Sequence, residues 1–400
     1  MSNVKSRSRW VLALFTVFMC VSGHAGGAAA ADAPKDWSWL PKIVKVATHE
    51  VGTANHLLGS LVLETMVEVY SPHGVTVRGI PQGAEVPRSM MGRTGTVDCV
   101  LQAGHTVYAM QEGLLTFGNL EWGPQPLRAI FMPSQPPMVI GVRADSGIKT
   151  FADLKGKKTD YLPASPATNW ALDALLAYGG LTRDDVESIR FTSRGESYEA
   201  VLEGRTNFGS WNIDAPQAYE LIEMKGYYLP MEVDSPNWKR VTDKYPMFRP
   251  TVGVSGAGAS PEKPVVGLGQ ANAIWFCWPD KTSTEVTYFL TRAIFENYDV
   301  YKSKHTSLRL LFNPEEHWRN WESSSGLIPL AEGAVKYFKE IGQWTPEREK
   351  LQQERLAYQA KLAALWDEAT LEAQTQKIKS KDYFKFWLKK KKEAGLPDLN

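Results

Sequence analysis

Short apolar runs alternate with stretches of helical periodicity along the first third of the chain. Residues 43–46 predict a strand, and apolar side chains then recur at helical spacing between Leu57 and Val69. Three further apolar runs predict strands with helical segments between them: residues 75–77, 97–101 and 129–132. This alternation predicts a parallel sheet with helices on its faces.

A second alternating series begins after a proline-rich break at residues 133–137. Residues 138–143 predict a strong strand, and Thr182 with Asp185 has the spacing of a helix capping box. The next predicted strands are residues 189–191, 208–213 and 227–229. A second α/β unit is therefore expected here.

The second series ends in a helix and a connector. Asp214 followed by Pro216 predicts a helix start with Asp214 as the N-cap. Glycines and prolines between residues 251 and 270 predict a flexible connector. Residues 273–278 then predict an intensely apolar strand, which a helix follows.

Two α/β units, with the chain returning to the first after the second, predict a two-lobed clamshell. Its hinge is expected in crossing strands near residues 138–143 and 266–278. The expected limits are residues 34–139 and 268–344 for lobe I, 140–267 for lobe II and 345–400 for a charged helical C-terminal extension. The predicted fold class is thus α/β, with mainly parallel sheets flanked by helices.

The first residues have the pattern of a secretory signal peptide. Lys5, Arg7 and Arg9 precede an apolar run at residues 10–21, and small residues continue to Ala31. The apolar run is too short to span a membrane, so residues 1–31 predict cleavage and export to the periplasm.

Charge changes the list of expected partners. The formal net charge of +1 falls to about −2 once residues 1–31 are removed, because three cationic residues leave with them. Residues 377–400 carry eight lysines against three acidic residues, so the rest of the mature chain is acidic. Such a body is not built for nucleic acid, and we expect no nucleic-acid partner.

Catalytic and metal-binding signatures are missing from the sequence. The stretch from Gly253 to Ala257 lacks the last glycine of a nucleophile elbow, and His49-Glu50 has no second histidine at helical spacing. We therefore expect no catalysis, cofactor or metal, with a secreted α/β enzyme as the alternative. Cys99 and Cys277 are predicted either as buried free thiols or as a disulfide.

Strand-to-helix turns rich in Ser, Thr, Gly and Asn recur along the chain. They lie at residues 48–59, 79–84, 162–169 and 210–216. In open α/β sheets, ligands bind outside the carboxyl ends of the strands, and helix N-termini favour anions. We therefore expect these turns to converge on one cleft that holds a small anionic solute.

Several of these segments together resemble the TAXI-type solute receptors of TRAP transporters. The resemblance spans about residues 43–342 and rests on residues 52–59, 97–102, 145–157, 165–168 and 328–340. It implies the Venus-flytrap fold of periplasmic binding proteins and a periplasmic receptor that closes on a small solute, commonly a carboxylate. The implied partners are that solute and the TRAP membrane permease, and a periplasmic sensor subunit is a further alternative.

The resemblance also implies the ligand-binding residues. They are Thr48, Gly52, Thr53, Asn55, Gly83 and Gln102 in the first lobe, and Ser165, Thr168, Asn169, Trp211, Asn212 and Asp214 in the second. Arg194 is added because an arginine near a strand end can bind a carboxylate with two hydrogen bonds. His49 and Glu50 depart from the family pattern. As ligand groups they would select a cationic or protonated feature of the solute, but we favour the interpretation that they are solvent-facing turn residues.

The C-terminal extension is a second departure from that family. Between residues 383 and 388 aromatic and aliphatic side chains interleave with lysines. A solvated helix folded against the body is the default interpretation, and docking on anionic lipid or on the permease is the alternative.

Overall fold

The structure is a computed structural model that describes residues 37, 38, 40, 42–270, 273–323 and 328–396. The predicted signal peptide, residues 1–31, lies outside these described residues. Within them, no helix is both long enough and apolar enough to cross a membrane.

Three stretches of chain supply the helices and strands. The first forms β1 Ile43–Thr48, α1 Ala54–Tyr70, β2 Thr76–Pro81, α2 Glu85–Arg93, β3 Cys99–Gln102, α3 Gly104–Glu112 and β4 Arg128–Phe131. The second forms β5 Met138–Val142, β6 Lys158–Tyr161, α4 Pro166–Tyr178, β7 Glu187–Arg190, α5 Arg194–Leu202, β8 Phe208–Asn212, α6 Pro216–Glu223, β9 Tyr227–Tyr228, α7 Trp238–Thr242, β10 Arg249–Gly253 and β11 Val265–Gly269. The third forms β12 Ile274–Cys277, α8 Thr284–Glu296, α9 Tyr298–Tyr301, α10 Thr306–Leu311, α11 Pro314–Glu322, α12 Glu332–Glu340, α13 Pro346–Thr375 and α14 Ser380–Glu393.

The first lobe is built on a five-stranded sheet in the order β2-β1-β3-β12-β4. Here β1 runs parallel to β2 and β3, as the alternating pattern predicts. Strand β12 follows the second lobe along the chain, returns to this sheet and runs antiparallel to β3 and β4. Every residue of β3 and β12 is buried, so both faces of the sheet are covered at these strands.

The second lobe differs from the prediction in strand direction. Its main sheet has the order β10-β11-β5-β8, with β9 beside β5, and all of these pairs are antiparallel. Only β6 and β7 in this lobe form a parallel pair. The chain enters this lobe through β5 and leaves it through β11. These two neighbouring strands therefore run in opposite directions and pair antiparallel. The two-lobed α/β architecture itself is confirmed.

The first passage between the lobes lies just outside the strand expected at residues 138–143, and the second lies within the expected range 266–278. Strands β5 and β11 belong entirely to the second sheet and β12 to the first. The chain therefore passes between the lobes from β4 to β5, at residues 132–137, and again from β11 to β12. The lobe limits expected at 139/140 and 267/268 fall inside β5 and β11.

Two helix starts show how far local sequence signals reach. The capping box of Thr182 and Asp185 is present, at the start of a short 3₁₀ turn. The N-cap predicted at Asp214 is wrong, because Ala215 caps α6 and Asp214 instead accepts a hydrogen bond from the hydroxyl of Ser307. The side chain of Asp214 thus connects the second lobe to α10 by a hydrogen bond.

Cys99 and Cys277 are buried free thiols. They lie on β3 and β12, which are neighbours in the first sheet. Burial raises the pKa of Cys277 to about 12 and that of Cys99 well above its ordinary value, so both remain protonated. Of the two alternatives, the free thiols are the ones observed.

The C-terminal extension folds against the first lobe. Helices α13 and α14 share an apolar cluster that includes Leu362, Tyr383 and Trp387. Lys391 is fully buried and forms an ion pair of 2.6 Å with Glu112 at the end of α3. Because Tyr383 and Trp387 face this cluster, they cannot be the aromatic side chains of a docking surface.

Candidate functional site

A cavity of about 90 Å³ lies between the two lobes. On one side it meets the carboxyl ends of β1, β2 and β3, and on the other the first residues of α4 and α5. Residues 132–137, called the crossing segment below, contribute Gln135, and Met138 at the start of β5 also lines the cavity. This volume exceeds what a single water needs, so the cavity has room for a small organic solute.

Arg88 supplies a buried positive charge to the first-lobe wall of the cavity. Its guanidinium donates to the carbonyl oxygens of Leu101 (3.1 Å), Gly83 (3.1 Å) and Gln82, and to the side-chain oxygen of Gln102. All four acceptors are neutral, and among the described residues no carboxylate lies within ion-pair distance. Burial lowers the pKa of Arg88 to about 10, so it remains cationic at pH 7.

Gln102 fixes the position of Arg88. Its amide nitrogen donates to the carbonyl oxygen of Glu85 (2.9 Å) and to the hydroxyl of Ser89 (3.0 Å). This leaves its amide oxygen aimed at the guanidinium of Arg88. Both N–H groups of the Gln102 amide and one lone pair of its oxygen are thereby used inside the first lobe.

His105 presents a ring nitrogen to the same cavity. The amide oxygen of Gln270 accepts from the backbone N–H of His105 at 3.0 Å, which orients the amide. The amide nitrogen of Gln270 lies 2.7 Å from Nδ1, closer than the amide oxygen at 3.0 Å. We assign the closer amide nitrogen as the donor, and in this tautomer Nδ1 accepts and Nε2 carries the proton. Burial lowers the pKa of His105 to about 4, so the ring is a neutral donor at pH 7.

Three side-chain nitrogens around the cavity are buried without a partner among the described residues. They are Nε2 of His105, Nε2 of Gln135 and Nε2 of His49. Both His105 and Gln135 are only 2% exposed. Burial, and then the charge of Arg88, lower the pKa of His49 well below its ordinary value, so this imidazole is also neutral. Buried polar groups are normally paired, and the amide nitrogen of Gln135 can be paired only by an acceptor.

Arg194 forms much of the second-lobe wall, but its charge is already balanced. It makes a 3.0 Å ion pair with Asp160 and donates to the hydroxyl of Ser210 at 2.7 Å. Its guanidinium also lies 4.8 Å from the centre of the Tyr198 ring. Arg194 thus differs from Arg88, whose acceptors are all uncharged.

Two carboxylates of the first lobe reach helix N-termini of the second. Glu50 accepts from the backbone N–H of Arg194 at 3.2 Å, at the start of α5. Glu85 accepts from Ala167 and Thr168 in the first turn of α4. Burial raises the pKa of Glu85, while these donors and the charge of Arg88 oppose that rise. Both contacts join the lobes beside the cavity.

Comparison with protein families identifies the chain. Residues 46–342 match the model of the NMT1-like family. The chain belongs to the NMT1-like family. The expected absence of catalysis agrees with the membership of this NMT1-like protein in that family.

The fold can also be compared with solved structures. Across 81% of its length the chain is similar to 89% of the periplasmic aliphatic sulphonate binding protein SsuA from Escherichia coli, with 14% identity and a TM-score of 0.44. It is similar over 76% of its length to all of PhnD1 from Prochlorococcus marinus (MIT 9301), solved in complex with methylphosphonate, with 13% identity and a TM-score of 0.41. Similarities of this size do not identify a solute. No curated protein matches the chain.

Most of the residues predicted for the site do line the cavity of this NMT1-like protein. They are Thr53, Asn55, Gly83, Gln102, Ser165, Thr168, Arg194 and Asn212. The strand-to-helix turns of both lobes therefore converge as expected. Several of these side chains are already bonded within the protein, since Thr53 caps α1 and Thr168 donates to Glu85.

Five predicted residues do not line the cavity. Thr48, Gly52, Asn169, Trp211 and Asp214 lie outside its wall. Trp211 is fully buried in the core of the second lobe, where its ring stacks on Tyr198 at 4.5 Å. Successive strand residues face opposite sides of a sheet, so Asn212 reaches the cavity and Trp211 cannot. The side chain of Asn169 is used by the backbone of Leu162.

The expectation that His49 and Glu50 face solvent is wrong. Both are half-buried in the wall of the cavity, and Glu50 bonds to the second lobe. Sequence reasoning also missed Arg88, His105 and Gln135. Arg88 and His105 lie inside helices rather than in turns, and Gln135 lies among the prolines of the crossing segment. One signal could have indicated Arg88: it is a charged residue in the first turn of the helix that follows the Gly83 turn.

Proposed function

We propose that this NMT1-like protein is a periplasmic receptor that captures a small organic solute with an anionic group, by closure of its two lobes. The bound solute stabilises the closed form, and the receptor delivers it to a membrane permease. The observation that carries the proposal is Arg88, a buried cation with only neutral acceptors in the wall of a cavity formed by both lobes.

The groups around Arg88 support an anion rather than a cation. His105 and Gln135 present N–H groups, and an oxyanion can accept from them and from the guanidinium together. Low local dielectric strengthens such bonds inside a closed cavity. The cavity volume limits the solute to a small acid, in agreement with the carboxylate expected from the resemblance.

Thermal unfolding with a panel of small carboxylates, sulfonates and phosphonates tests the proposal. A solute at a hundred times its Kd should stabilise the folded protein by about 3 kcal/mol. Mass spectrometry should recover that compound unchanged, and its turnover would instead favour the secreted enzyme. If no compound of the panel raises the unfolding temperature, the proposal that the solute is a small anion is wrong.

Two variants on the same helix locate the effect. Arg88→Met should abolish the solute-dependent shift, since it removes the cation from the cavity. Arg93→Met is the matched control, because Arg93 lies at the other end of α2 and bonds to the carbonyl oxygen of Glu121. Equal solute responses in the two variants would remove Arg88 from the site.

The permease is inferred to be of the TRAP type, from the residues that resemble TAXI receptors. Membership of the NMT1-like family does not itself distinguish a TRAP permease from an ABC permease. Uptake into vesicles with the native permease separates them, because a secondary transporter needs an ion gradient and an ABC transporter needs ATP. Uptake that follows ATP in the absence of a gradient would replace the TRAP assignment.

A further inference from the structure

The carboxylate of Glu85 bonds to the opposite lobe, although Glu85 belongs to none of the four expected binding turns. It is the first residue of α2 in the first lobe and is 1% exposed. Its carboxylate accepts from the backbone N–H groups of Ala167 (2.7 Å) and Thr168 (3.2 Å) and from the hydroxyl of Thr168 (3.0 Å). Thr106 of the first lobe supplies one more hydroxyl at 3.0 Å.

These donors make the position at the start of α4 an anion site. The helix has 13 residues and begins with Pro166, so its first N–H group is that of Ala167, which bonds only to Glu85 among the described residues. The N–H of Thr168 is shared between Glu85 and the carbonyl oxygen of Ser165 (3.1 Å), and the helix dipole favours negative charge at this end. The contact is reciprocal, since the backbone N–H of Glu85 donates to the hydroxyl of Ser165 at 3.3 Å. The carboxylate that fills this position is therefore supplied by the protein.

The donors that remain for a solute lie elsewhere in the cavity. Arg88, His105 and Gln135 line the cavity from the first lobe and the crossing segment, and Glu50 presents a carboxylate at the start of α5. At the start of α4 the cavity is lined by Thr168, whose N–H and hydroxyl are held by the buried carboxylate of Glu85. A second anionic group on the solute would meet like charge there and would find the donors of α4 taken.

We infer that Glu85 is a specificity-determining residue, which fills the anion site of the second lobe and restricts the solute to one anionic group, held at Arg88. This inference rests on the proposed function for the position of the solute. The occupation of the α4 site by Glu85 can be tested without any solute.

Chemical rescue by acetate is the test. Glu85→Ala removes the same heavy atoms that make up acetate and opens the start of α4. The melting temperature of full-length Glu85→Ala should rise saturably by about 2–4 °C in acetate, compared with chloride of equal ionic strength. Acetamide, which has the same shape without the charge, should give no rise.

Matched variants assign the effect to α4. Glu85→Gln keeps the site filled and should not respond to acetate. The double variant Glu85→Ala/Arg88→Met should still respond, which separates acetate at α4 from acetate at Arg88. An acetate response in Glu85→Ala no larger than in the wild type, or one lost in the double variant, would overturn the inference.

Folding and specificity complete the experiment. If Glu85→Ala does not fold in chloride, it is refolded in acetate or acetamide; recovery of native circular dichroism only in acetate supports the inference, and no recovery in either overturns it. Succinate, a dicarboxylate, should stabilise Glu85→Ala and not the wild type. Stabilisation of the wild type by succinate would refute the restriction to one anionic group and leave Arg88 as the solute site.

Discussion

The ion pair between Lys391 and Glu112 is the sharpest test of how the C-terminal extension is held. Lys391 is 0% exposed and Glu112 is 1% exposed, and their charged atoms lie 2.6 Å apart. Lys391→Met would leave Glu112 buried with the hydroxyl of Tyr358 (2.9 Å) but no cation among the contacts described for its side chain. Breaking such a pair by removing one partner costs about 3–5 kcal/mol, because a buried charge is left uncompensated.

A double-mutant cycle separates this cost from the value of the pair. Glu112→Gln should destabilise the protein as strongly as Lys391→Met, whereas the two together should cost much less than their sum. Urea unfolding at pH 7 followed by circular dichroism measures each step. Lys389→Met is the matched surface control, since Lys389 is exposed and we expect a change within about 0.5 kcal/mol. A cost below about 1 kcal/mol for Lys391→Met would refute the reasoning.

The remaining predictions concern pH, packing and the extension. The pKa of His105 is about 4 when folded and about 6.5 when unfolded, so the unfolded state binds the extra proton between these values. Stability attributable to His105 is therefore complete above pH 6.5 and falls by about 3 kcal/mol as the pH drops to 4; urea midpoints of wild type and His105→Gln across this range should converge at low pH, and parallel curves would contradict the assignment. Gly141→Ala would place a Cβ 2.4 Å from the ring of Trp211, and such overpacking should cost about 1–3 kcal/mol in urea unfolding; an unchanged midpoint would show that the ring moves freely. Replacing exposed Lys385 by Gln should leave the melting temperature unchanged, and a lower one would show that this lysine is structural.

The sequence allowed the general position of the site to be predicted because turn chemistry is local. Glycine, serine and threonine after a strand indicate a turn wherever the strand lies in the sheet, so residues such as Gly83 and Ser165 were found. Arg88 and His105 could not be found in this way. In the sequence each is an ordinary residue of a helix. Their burial, which distinguishes them from surface residues, is known only once α2 and α3 are packed against the first sheet.

Two errors have a common cause in the geometry of strands. Trp211 and Asn212 are neighbours in sequence, and local chemistry favoured both as ligand contacts, but the pleat places them on opposite faces of β8. The directions of the strands in the second lobe could also not be predicted from the alternation of strands and helices along the chain. They depend on where β5 and β11 come from in space, which the order of elements along the chain does not state.

Helix α3 connects the site to the C-terminal extension, and this changes how the extension should be tested. His105 at the start of α3 faces the cavity, and Glu112 at its end binds Lys391. The amide of Gln359 on α13 also donates to the side chain of Gln111, at 2.9 Å. Deleting residues 345–400 would therefore leave buried polar groups of α3 without their partners. Because α3 also carries His105, a loss of transport in this deletion would not show that the extension docks on a membrane or a permease. Substitutions confined to its exposed lysines leave α3 intact, so a transport defect in those variants would be a surface effect.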